Sequence, residues 1–363
     1  MDIYKRNPHL DGLRGIAILM VIGYHYFTGF YIFDFGWSGV DLFFILSGYL
    51  LAGRILPYLS DKNIICKFYF NRILRIVPLY FSFLIIFYSL FYLFASSETQ
   101  NLHPQLQHPI TFFLFVCNWM FIIDYNSHPH QLSHLWSLSV EEQFYIIFPL
   151  YIFIIKKKIL LKFTIVLILA VLFFRCLNTS FLNKSEYIRI YWNTFYRMDC
   201  FFLGLVIYLL KENGFIKKID KWISLIFIFF VFSLLIGGLY EKTFRINHFF
   251  VTIGFTIVAL TYSCVLILVI NERKNLLKKI TSNLTLIFFG KISFGLYIFH
   301  WPIYLTMFSF INFFMRKTRI DLDTIDIQLG NTILSFGIST LVSFLSFKYY
   351  ESFFLKFKIK PTH

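Results

Sequence analysis

Long apolar segments recur along almost the whole of this sequence, and they constrain its fold more than any other feature. Each is long enough to enter the roughly 30 Å of hydrocarbon in a bilayer. Of the 363 residues, 58% are hydrophobic and 50 are Phe. Lipid offers no partner for an unpaired backbone group, so the segments must be helices. The sequence predicts an all-α integral membrane protein, with residues 1–363 as one membrane-embedded domain and no appended soluble domain.

Eleven apolar segments can be counted by hydropathy, and the charge of the loops decides how many of them cross the membrane. They are residues 12–31, 39–57, 74–95, 110–123, 139–155, 159–174, 195–210, 222–240, 247–270, 285–314 and 328–349. If 110–123 crossed, Lys156, Lys157 and Lys158 would lie outside. The positive-inside rule therefore favours a bundle of about ten transmembrane helices with both termini cytoplasmic. The segment near 110–123 is then re-entrant or peripheral.

The net charge of +15 comes from 34 Lys and Arg against 19 Asp and Glu. In a membrane protein, cationic loops fix orientation, so we expect no nucleic-acid partner.

The five cysteines lack paired metal spacing and are expected to be reduced packing residues. Residues 96–138 hold no Lys or Arg and are predicted to form one long external loop. This loop holds five irregularly spaced histidines, for which solvated loop polarity is favoured over metal capture. They are His103, His108, His128, His130 and His134.

The first span carries Arg14 and His25, which are eleven residues apart. Eleven helical residues turn through about three full turns and rise about 16 Å, so both side chains share one face. An ionisable residue at membrane depth costs about 2.5–3.5 kcal/mol on insertion scales and is a functional candidate by default. The alternative, a snorkelling arginine with a hydrogen-bonded structural histidine, is equally compatible with this pair alone.

Arg72 and Arg75 stand three residues apart at the cytoplasmic start of the third span, at the depth predicted for Arg14. Taken alone they are ordinary topogenic charges. Guanidinium groups present forked donors that match the oxygens of phosphate. Together with Arg14, they could hold a phosphorylated donor that arrives from the cytoplasm.

Other ionisable residues interrupt the later spans. Asp41 lies near the outer edge of the second span, in which Ser47 and Gly48 would allow close helix approach. Arg197 and Asp199 are two residues apart, so each should pair with another helix rather than with the other. His300 precedes a proline in mid-span, and function and packing are equally favoured for it.

The run Ser139-Val140-Glu141-Glu142 opens another span. It fits a capping box, with Ser139 as N-cap and Glu142 at the third helical position. That accounts for Glu142 but not for Glu141, which shares a face with Tyr145. Both acids are predicted near the depth of His25. A carboxylate that orients an imidazole is the usual arrangement of a general base acting on a hydroxyl.

Several stretches together resemble the membrane-bound acyltransferase 3 family. They are LDGLRGIAILMVIGYH, GVDLFFILSGYLL, NRILRIVPLY, LWSLSVEEQFYIIFPL, YRMDCFFLGL and GKISFGLYIFHWPI. The resemblance implies transfer of an acyl group, usually acetyl, from cytoplasmic acyl-coenzyme A to a sugar hydroxyl at the far membrane face. Arg14 and His25 match the family's essential pair, Arg72 and Arg75 its Arg-x-x-Arg motif, and the two glutamates its acidic motif.

On this reading the protein is a stand-alone O-acetyltransferase of the bacterial inner membrane. Acetyl-CoA is the donor, bound by Arg14, Arg72 and Arg75, and no metal is expected. The acceptor is a lipid-linked or surface glycan such as lipopolysaccharide O-antigen. His25, Glu141 and Glu142 are the predicted catalytic residues, and the residues of substrate contact or structural support are Asp41, Tyr145, Arg197, Asp199 and His300.

Two other functions use the same polar face. A transporter or flippase of a lipid-linked sugar would line a path with it, although transporters often carry paired broken helices in inverted repeats and only one deep span here contains such a break, at Pro302. An acyltransferase acting on a small-molecule glycoside would differ only in its acceptor.

Overall fold

The computed structural model describes residues 7–27, 30–94, 108–124, 131–183, 186–219, 222–240, 246–271, 275–318 and 324–360. Every regular element within these residues is helical. The ten longest helices are α1 Pro8–Tyr26, α2 Gly39–Ile55, α3 Ile64–Phe94, α4 Trp136–Ile154, α5 Lys157–Thr179, α6 Thr194–Glu212, α7 Ile223–Tyr240, α8 Phe255–Ile270, α9 Leu284–Thr318 and α10 Thr324–Leu345.

Short helical turns connect or extend these ten. The α-helical ones are Pro109–Phe113, Cys117–Ile123, Tyr187–Trp192, Phe215–Ile219, Leu276–Thr281 and Ser352–Leu355. Turns of 3₁₀ type are Tyr31–Ser38, Leu56–Tyr58 and Ser133–Leu135, and π turns are Phe250–Gly254 and Ser346–Glu351.

The predicted all-α membrane architecture is confirmed. Within the described residues, eight helical stretches are long and apolar enough to cross a bilayer. The other two long helices, α1 and α6, have 19 residues each and carry buried ionisable side chains. The chain is a multi-pass membrane protein. In the apolar part of the stretch containing α2, 83% is buried inside the protein, against 22% for α5 and for α7. Helix α2 is therefore central, and α5 and α7 are peripheral.

The segment near 110–123 does not form a crossing helix. It is divided into Pro109–Phe113 and Cys117–Ile123, which have five and seven residues. Between them Phe115 has a φ of 54°, in the left-handed region, which interrupts the helix. The second piece is tied to the bundle because buried Asn118 donates to the Trp192 carbonyl at 3.2 Å and to the Thr194 hydroxyl at 3.0 Å. The segment is therefore peripheral to the ten helices.

One end of the bundle gathers the basic loops, and we call it the basic end. Asn7 and the segment Lys356–Lys360 line the same cavity there, so the two ends of the described chain lie together. Lys157, from the triple lysine, forms an ion pair with Glu212, which lines that cavity too. This common face is the arrangement that the charge distribution predicts for ten crossings. The positive-inside rule predicts that this is the cytoplasmic face.

Close contact between α2 and α6 depends on small residues. A Cβ atom at Gly48 of α2 would overlap the backbone carbonyl of Phe201 on α6. This agrees with the expectation that Gly48 allows close approach. The contact also places Asp41 of α2 against Arg197 of α6.

Gly48→Ala should lower the stability of the detergent-solubilised protein, because the added methyl group pushes α2 away from α6. We expect a loss of about 1–3 kcal/mol, the usual cost of overpacking. Gly337→Ala on α10 is the matched control, since no atom lies within 4 Å of the added group. Thermal unfolding of both variants measures the effect. Equal melting temperatures for the two would contradict this view of the helix contact.

Candidate active site

His25 of α1 lies against His300 of α9. The Nδ1 atom of His25 and the Nε2 atom of His300 are 3.0 Å apart, and the ring centroids are separated by 5.0 Å. Trp301 covers the His25 ring at 4.9 Å between centroids. His300 is fully buried, so its ring is fixed by its surroundings. The histidine that the sequence left open between function and packing is therefore the direct neighbour of the predicted catalytic histidine.

The hydrogen bonds of His300 determine where the protons lie on both rings. Its Nδ1 atom contacts the carbonyl oxygens of Leu296 at 3.1 Å and Tyr297 at 2.8 Å. Carbonyls only accept, so Nδ1 of His300 carries the proton and Nε2 accepts. Nδ1 of His25 therefore donates to His300, and Nε2 of His25 is its basic nitrogen. A partner on one ring nitrogen sets the tautomer of the other in this way.

A third imidazole, that of His134, packs on the same group. Its ring lies 5.3 Å from that of His300, and its Nε2 atom donates to the Ile298 carbonyl at 3.2 Å. The hydroxyl of Tyr297 donates to the His134 carbonyl at 2.6 Å and accepts from Ser137 at 2.5 Å. His134, Tyr297 and Ser137 thus form a buried layer beside His300.

His134 corrects the expectation for the loop histidines. It is 2% exposed and packed in the bundle, because the turn Ser133–Leu135 leads directly into α4. His108 is exposed and precedes the short helix Pro109–Phe113. The other three lie outside the described residues; they are His103, His128 and His130. Among the described residues, no group of three or more His, Cys, Asp or Glu could hold a metal ion.

A cavity of about 720 Å³ opens at the basic end, and four arginines line it. Arg14 comes from α1, Arg54 from α2, and Arg72 and Arg75 from α3. Arg54 lies close enough to the other three to experience their repulsion. Within the described part of the chain, no carboxylate forms an ion pair with any of these guanidinium groups at 4 Å or less. We call this space the arginine cavity.

Three carboxylates partly offset the charge of this cluster from a distance. Asp11 and Glu141 act on Arg14, and Glu351 acts on Arg75. Glu351 is 8% exposed and belongs to the π turn Ser346–Glu351, which follows α10. Four cations against three acids leave a positive cavity that suits an anion with several oxygens.

A smaller cavity of about 60 Å³ extends inward from the arginine cavity and shares Arg14, Arg72 and Arg75 with it. Glu141 lies in its wall. The Glu141 carboxylate accepts from the Ser47 hydroxyl at 2.5 Å and from the Tyr145 hydroxyl, so α2 and α4 are joined here. The Arg72 guanidinium stacks on the Tyr145 ring at 4.2 Å. The remaining wall includes Ser137 and Tyr297, which belong to the buried layer beside His300.

Neither glutamate of the acidic pair hydrogen-bonds His25, so the prediction of a carboxylate that orients this imidazole is wrong in its geometry. Glu141 faces Ser47 and Tyr145, and His300 occupies the orienting position. The structure brings Glu141 together with the arginines instead, through the small cavity.

The capping box predicted at Ser139 is wrong. Helix α4 begins three residues earlier, at Trp136, after the turn Ser133–Leu135. Ser139 is therefore inside the helix, where its hydroxyl lies 3.1 Å from the thiol of Cys117. Glu142 has no capping role, and its buried Oε1 atom has no hydrogen-bond partner. The simple structural explanation for Glu142 is lost.

Two buried ion pairs hold the helices around the site. Arg197 pairs with Asp41, and Arg175 of α5 pairs with Asp199 at 2.9 Å. All four side chains are fully buried. Each pair joins two helices, as the i, i+2 spacing of Arg197 and Asp199 predicts. Asp41, Arg197 and Asp199 thus support the bundle, because removing one partner of a buried pair leaves an uncompensated charge.

The sequence reasoning missed several residues of the site. Arg54, Glu351 and Lys358 are not among the predicted site residues. An acid just after the last apolar segment, among aromatic residues, was a signal for Glu351. Tyr297 and His134 gave no comparable signal, since an aromatic residue in a span and a histidine in a loop are ordinary.

Comparison with known proteins identifies the family of the chain. The family model described as an acyltransferase domain, that of the acyltransferase 3 family, matches residues 7–347. The chain belongs to the acyltransferase 3 family. The peptidoglycan O-acetyltransferase OatA of Listeria monocytogenes is 27% identical over 379 residues, which are 96% of this chain and 56% of OatA.

Two further relatives share the same type of name. A protein of Staphylococcus aureus strain COL, named provisionally as an O-acetyltransferase, is 27% identical over 97% of this chain and 58% of its own. YrhL of Bacillus subtilis, named provisionally as a peptidoglycan O-acetyltransferase, is 29% identical over 83% of this chain and 49% of its own. The chain thus spans about half the length of these relatives. No solved structure matches it significantly.

His300 should act on acyl transfer through His25. Replacing it with Leu removes the acceptor that fixes the His25 tautomer, and we expect kcat to fall about 10- to 100-fold, the usual cost of losing an orienting partner. The KM for the acyl donor should stay unchanged, because the arginine cavity is intact. His300→Gln, which retains an acceptor oxygen, should recover part of kcat. A fall in donor affinity with unchanged kcat would contradict this role, and thermal unfolding controls for folding.

Proposed function

We propose that this protein transfers an acyl group, most simply acetyl, from acyl-coenzyme A to a hydroxyl of a cell-envelope glycan. The observation that carries the proposal is the face of α1 that presents Arg14 and His25. Arg14 lines an arginine-rich cavity open at the basic end, and His25, about three turns further along, has its basic nitrogen fixed by a second histidine. Such a face combines an anion site with a general base, which is what a two-substrate acyl transfer needs.

The donor is assigned to the basic end because coenzyme A carries several phosphate groups. Arg14, Arg54, Arg72 and Arg75 present forked donors to one cavity, and a polyanion would relieve their mutual repulsion. The cavity volume of about 720 Å³ lies within the range of small-molecule sites. From there the acyl-bearing arm would enter the small cavity.

Chemistry is assigned to His25. Its Nε2 atom takes the proton of the acceptor hydroxyl while the oxygen attacks the thioester carbonyl. The C–O bond forms, the C–S bond breaks, and the imidazolium returns its proton to the leaving thiolate. His300 holds the ring through Nδ1 throughout. An acyl-histidine intermediate is the variant in which Nε2 attacks the thioester itself, and trapping of acetylated His25 without acceptor would distinguish it.

The small cavity gives the remaining residues their proposed roles. Tyr297 and Ser137 form its wall on the side of His300, so the acyl group reaches His25 only when the Tyr297 side chain moves. Glu141 holds Tyr145 and Ser47 in place beside Arg72 and acts electrostatically on Arg14. Glu142 is kept as a catalytic candidate because its buried oxygen has no partner.

The acceptor is proposed from the chemistry of the family and its relatives. Two of the similar proteins are named for peptidoglycan, whereas the sequence analysis favoured a lipid-linked glycan such as lipopolysaccharide O-antigen. Both are envelope glycans with free hydroxyls beyond the cytoplasmic membrane, in which we place this protein. Transport of a lipid-linked sugar and acylation of a small glycoside remain the alternatives, and no separate observation favours either.

Loss of the protein should remove acetyl esters from one envelope glycan and leave the amount of polymer unchanged. Mass spectrometry of peptidoglycan and surface polysaccharide from deletion and complemented strains measures both. Complementation with His25→Ala should leave the glycan unacetylated, since the base is absent. Loss of polymer instead of acetyl groups would indicate a transporter. Normal acetylation by His25→Ala in membranes of intact protein would refute the assignment.

A further inference from the structure

The segment Lys356–Lys360, which follows the last helical turn of the described chain, lies along the arginine cavity and lines it. It is anchored by one side chain of α3. Asn71 donates from Nδ2 to the Ile359 carbonyl at 2.7 Å, and Oδ1 of Asn71 accepts from the Ile359 amide at 2.8 Å. Asn71 immediately precedes Arg72, so this pair of hydrogen bonds fixes the segment relative to the arginine cluster.

Lys358 is the residue that this anchor directs to the arginines. It is one residue before Ile359, and it experiences the repulsion of Arg14, Arg54, Arg72 and Arg75. Loss of solvation against the cavity wall, and then these four charges, lower the pKa of Lys358 to about 6. A free lysine has a pKa near 10.4. The Lys358 amine is therefore largely neutral above pH 7 while the cavity holds no anion.

The other charged groups around the cavity are mostly engaged elsewhere. Lys67 pairs with Asp61 at 2.8 Å, and Lys211 donates to the Tyr49 hydroxyl at 3.1 Å. Glu212 pairs with Lys157 at 3.6 Å and accepts from Tyr208 at 3.0 Å. Asp11 acts on Arg14, and Lys356 and Lys360 are the remaining charged lining groups. All four arginines act on Lys358, so its protonation responds directly to a change of charge at them.

We propose that Lys358, held by the Asn71 anchor, is a fifth cationic ligand of the phosphate groups bound in the arginine cavity, and that it takes up a proton when they bind. The inference rests on the proposed function, because it identifies those phosphates as belonging to the acyl-coenzyme A donor. Bound phosphate oxygens offset the four arginines and accept from the lysine, so they favour its charged form. The proton comes from solvent, and no covalent bond changes.

The pH dependence follows from the two states of the lysine. Below about pH 6, Lys358 is already charged in the free protein, so binding takes up no proton at this site. Between pH 6 and the higher pKa of the complex, binding draws in up to one proton. The affinity for the donor should therefore fall as pH rises from 6 to 8. The second ionisation of phosphate, with a pKa near 6, is common to every variant and cancels in their comparison.

Isothermal titration of the detergent-solubilised full chain with coenzyme A, in two buffers of different ionisation enthalpy at pH 7.5, measures proton uptake directly. We expect uptake in the wild type that is absent in Lys358→Ala and in Lys358→Arg. At pH 6, Lys358→Ala should bind about tenfold more weakly than wild type. The constantly charged Lys358→Arg should bind with a flatter pH dependence. Lys348→Ala removes one positive charge outside the cavity and should behave as wild type.

Asn71→Ala is the second variant, because it keeps the lysine and releases its anchor. It should lose part of both the affinity and the proton uptake. If coenzyme A bound wild type and Lys358→Ala with equal affinity and equal proton uptake, the inference would be overturned and the proposed donor would stand. Absence of binding to wild type would overturn the donor and the inference together. If dispersed phosphatidylglycerol, and not coenzyme A, produced the Lys358-dependent proton uptake, the cavity would bind a lipid phosphate and the donor assignment would fail.

Discussion

The packing of α1 against α9 is the contact on which the rest of the site depends. A Cβ atom at Gly15 of α1 would overlap the backbone carbonyl of Leu286 on α9, so the two helices approach closely. Three turns further along α1, the same contact brings His25 within hydrogen-bond distance of His300. Tyr26 adds a bond to the His300 carbonyl at 2.9 Å. One helix seam thus fixes Arg14 in the cavity and the histidine beyond it.

Charge is distributed unevenly along the contact between α1 and α9 and the helices around it. Arginines gather at one end, where Arg54 and Arg75 line the cavity without an ion pair among the described residues. The buried pairs Arg197–Asp41 and Arg175–Asp199 neutralise charges elsewhere in the bundle. A cluster whose charge is only partly offset is costly in a medium of low dielectric constant, and an anion that binds there recovers part of that cost. The basic end therefore suits a polyanion such as the proposed donor, and His25 with His300 is left for the proposed chemistry.

Much of this arrangement could be predicted from the sequence because lipid restricts the choices. Apolar length and loop charge predicted ten helices and a peripheral segment near 110–123, and the eleven-residue spacing placed Arg14 and His25 on one face. Contacts between distant segments could not be predicted. His300 lies 275 residues from His25, and helical periodicity carries no information on which helices pack together. The start of α4 was misjudged because the Ser139 hydroxyl contacts Cys117 instead of capping a helix.

The central claim is that donor and acceptor reach this site from opposite membrane faces. Sealed inside-out membrane vesicles containing the protein and its glycan acceptor, supplied externally with radiolabelled acetyl-CoA, test it most directly, because the donor does not cross the bilayer. The account predicts labelled glycan inside intact vesicles and none with His25→Ala. Labelling that requires the vesicles to be permeabilised first would place donor and acceptor on the same face and contradict it.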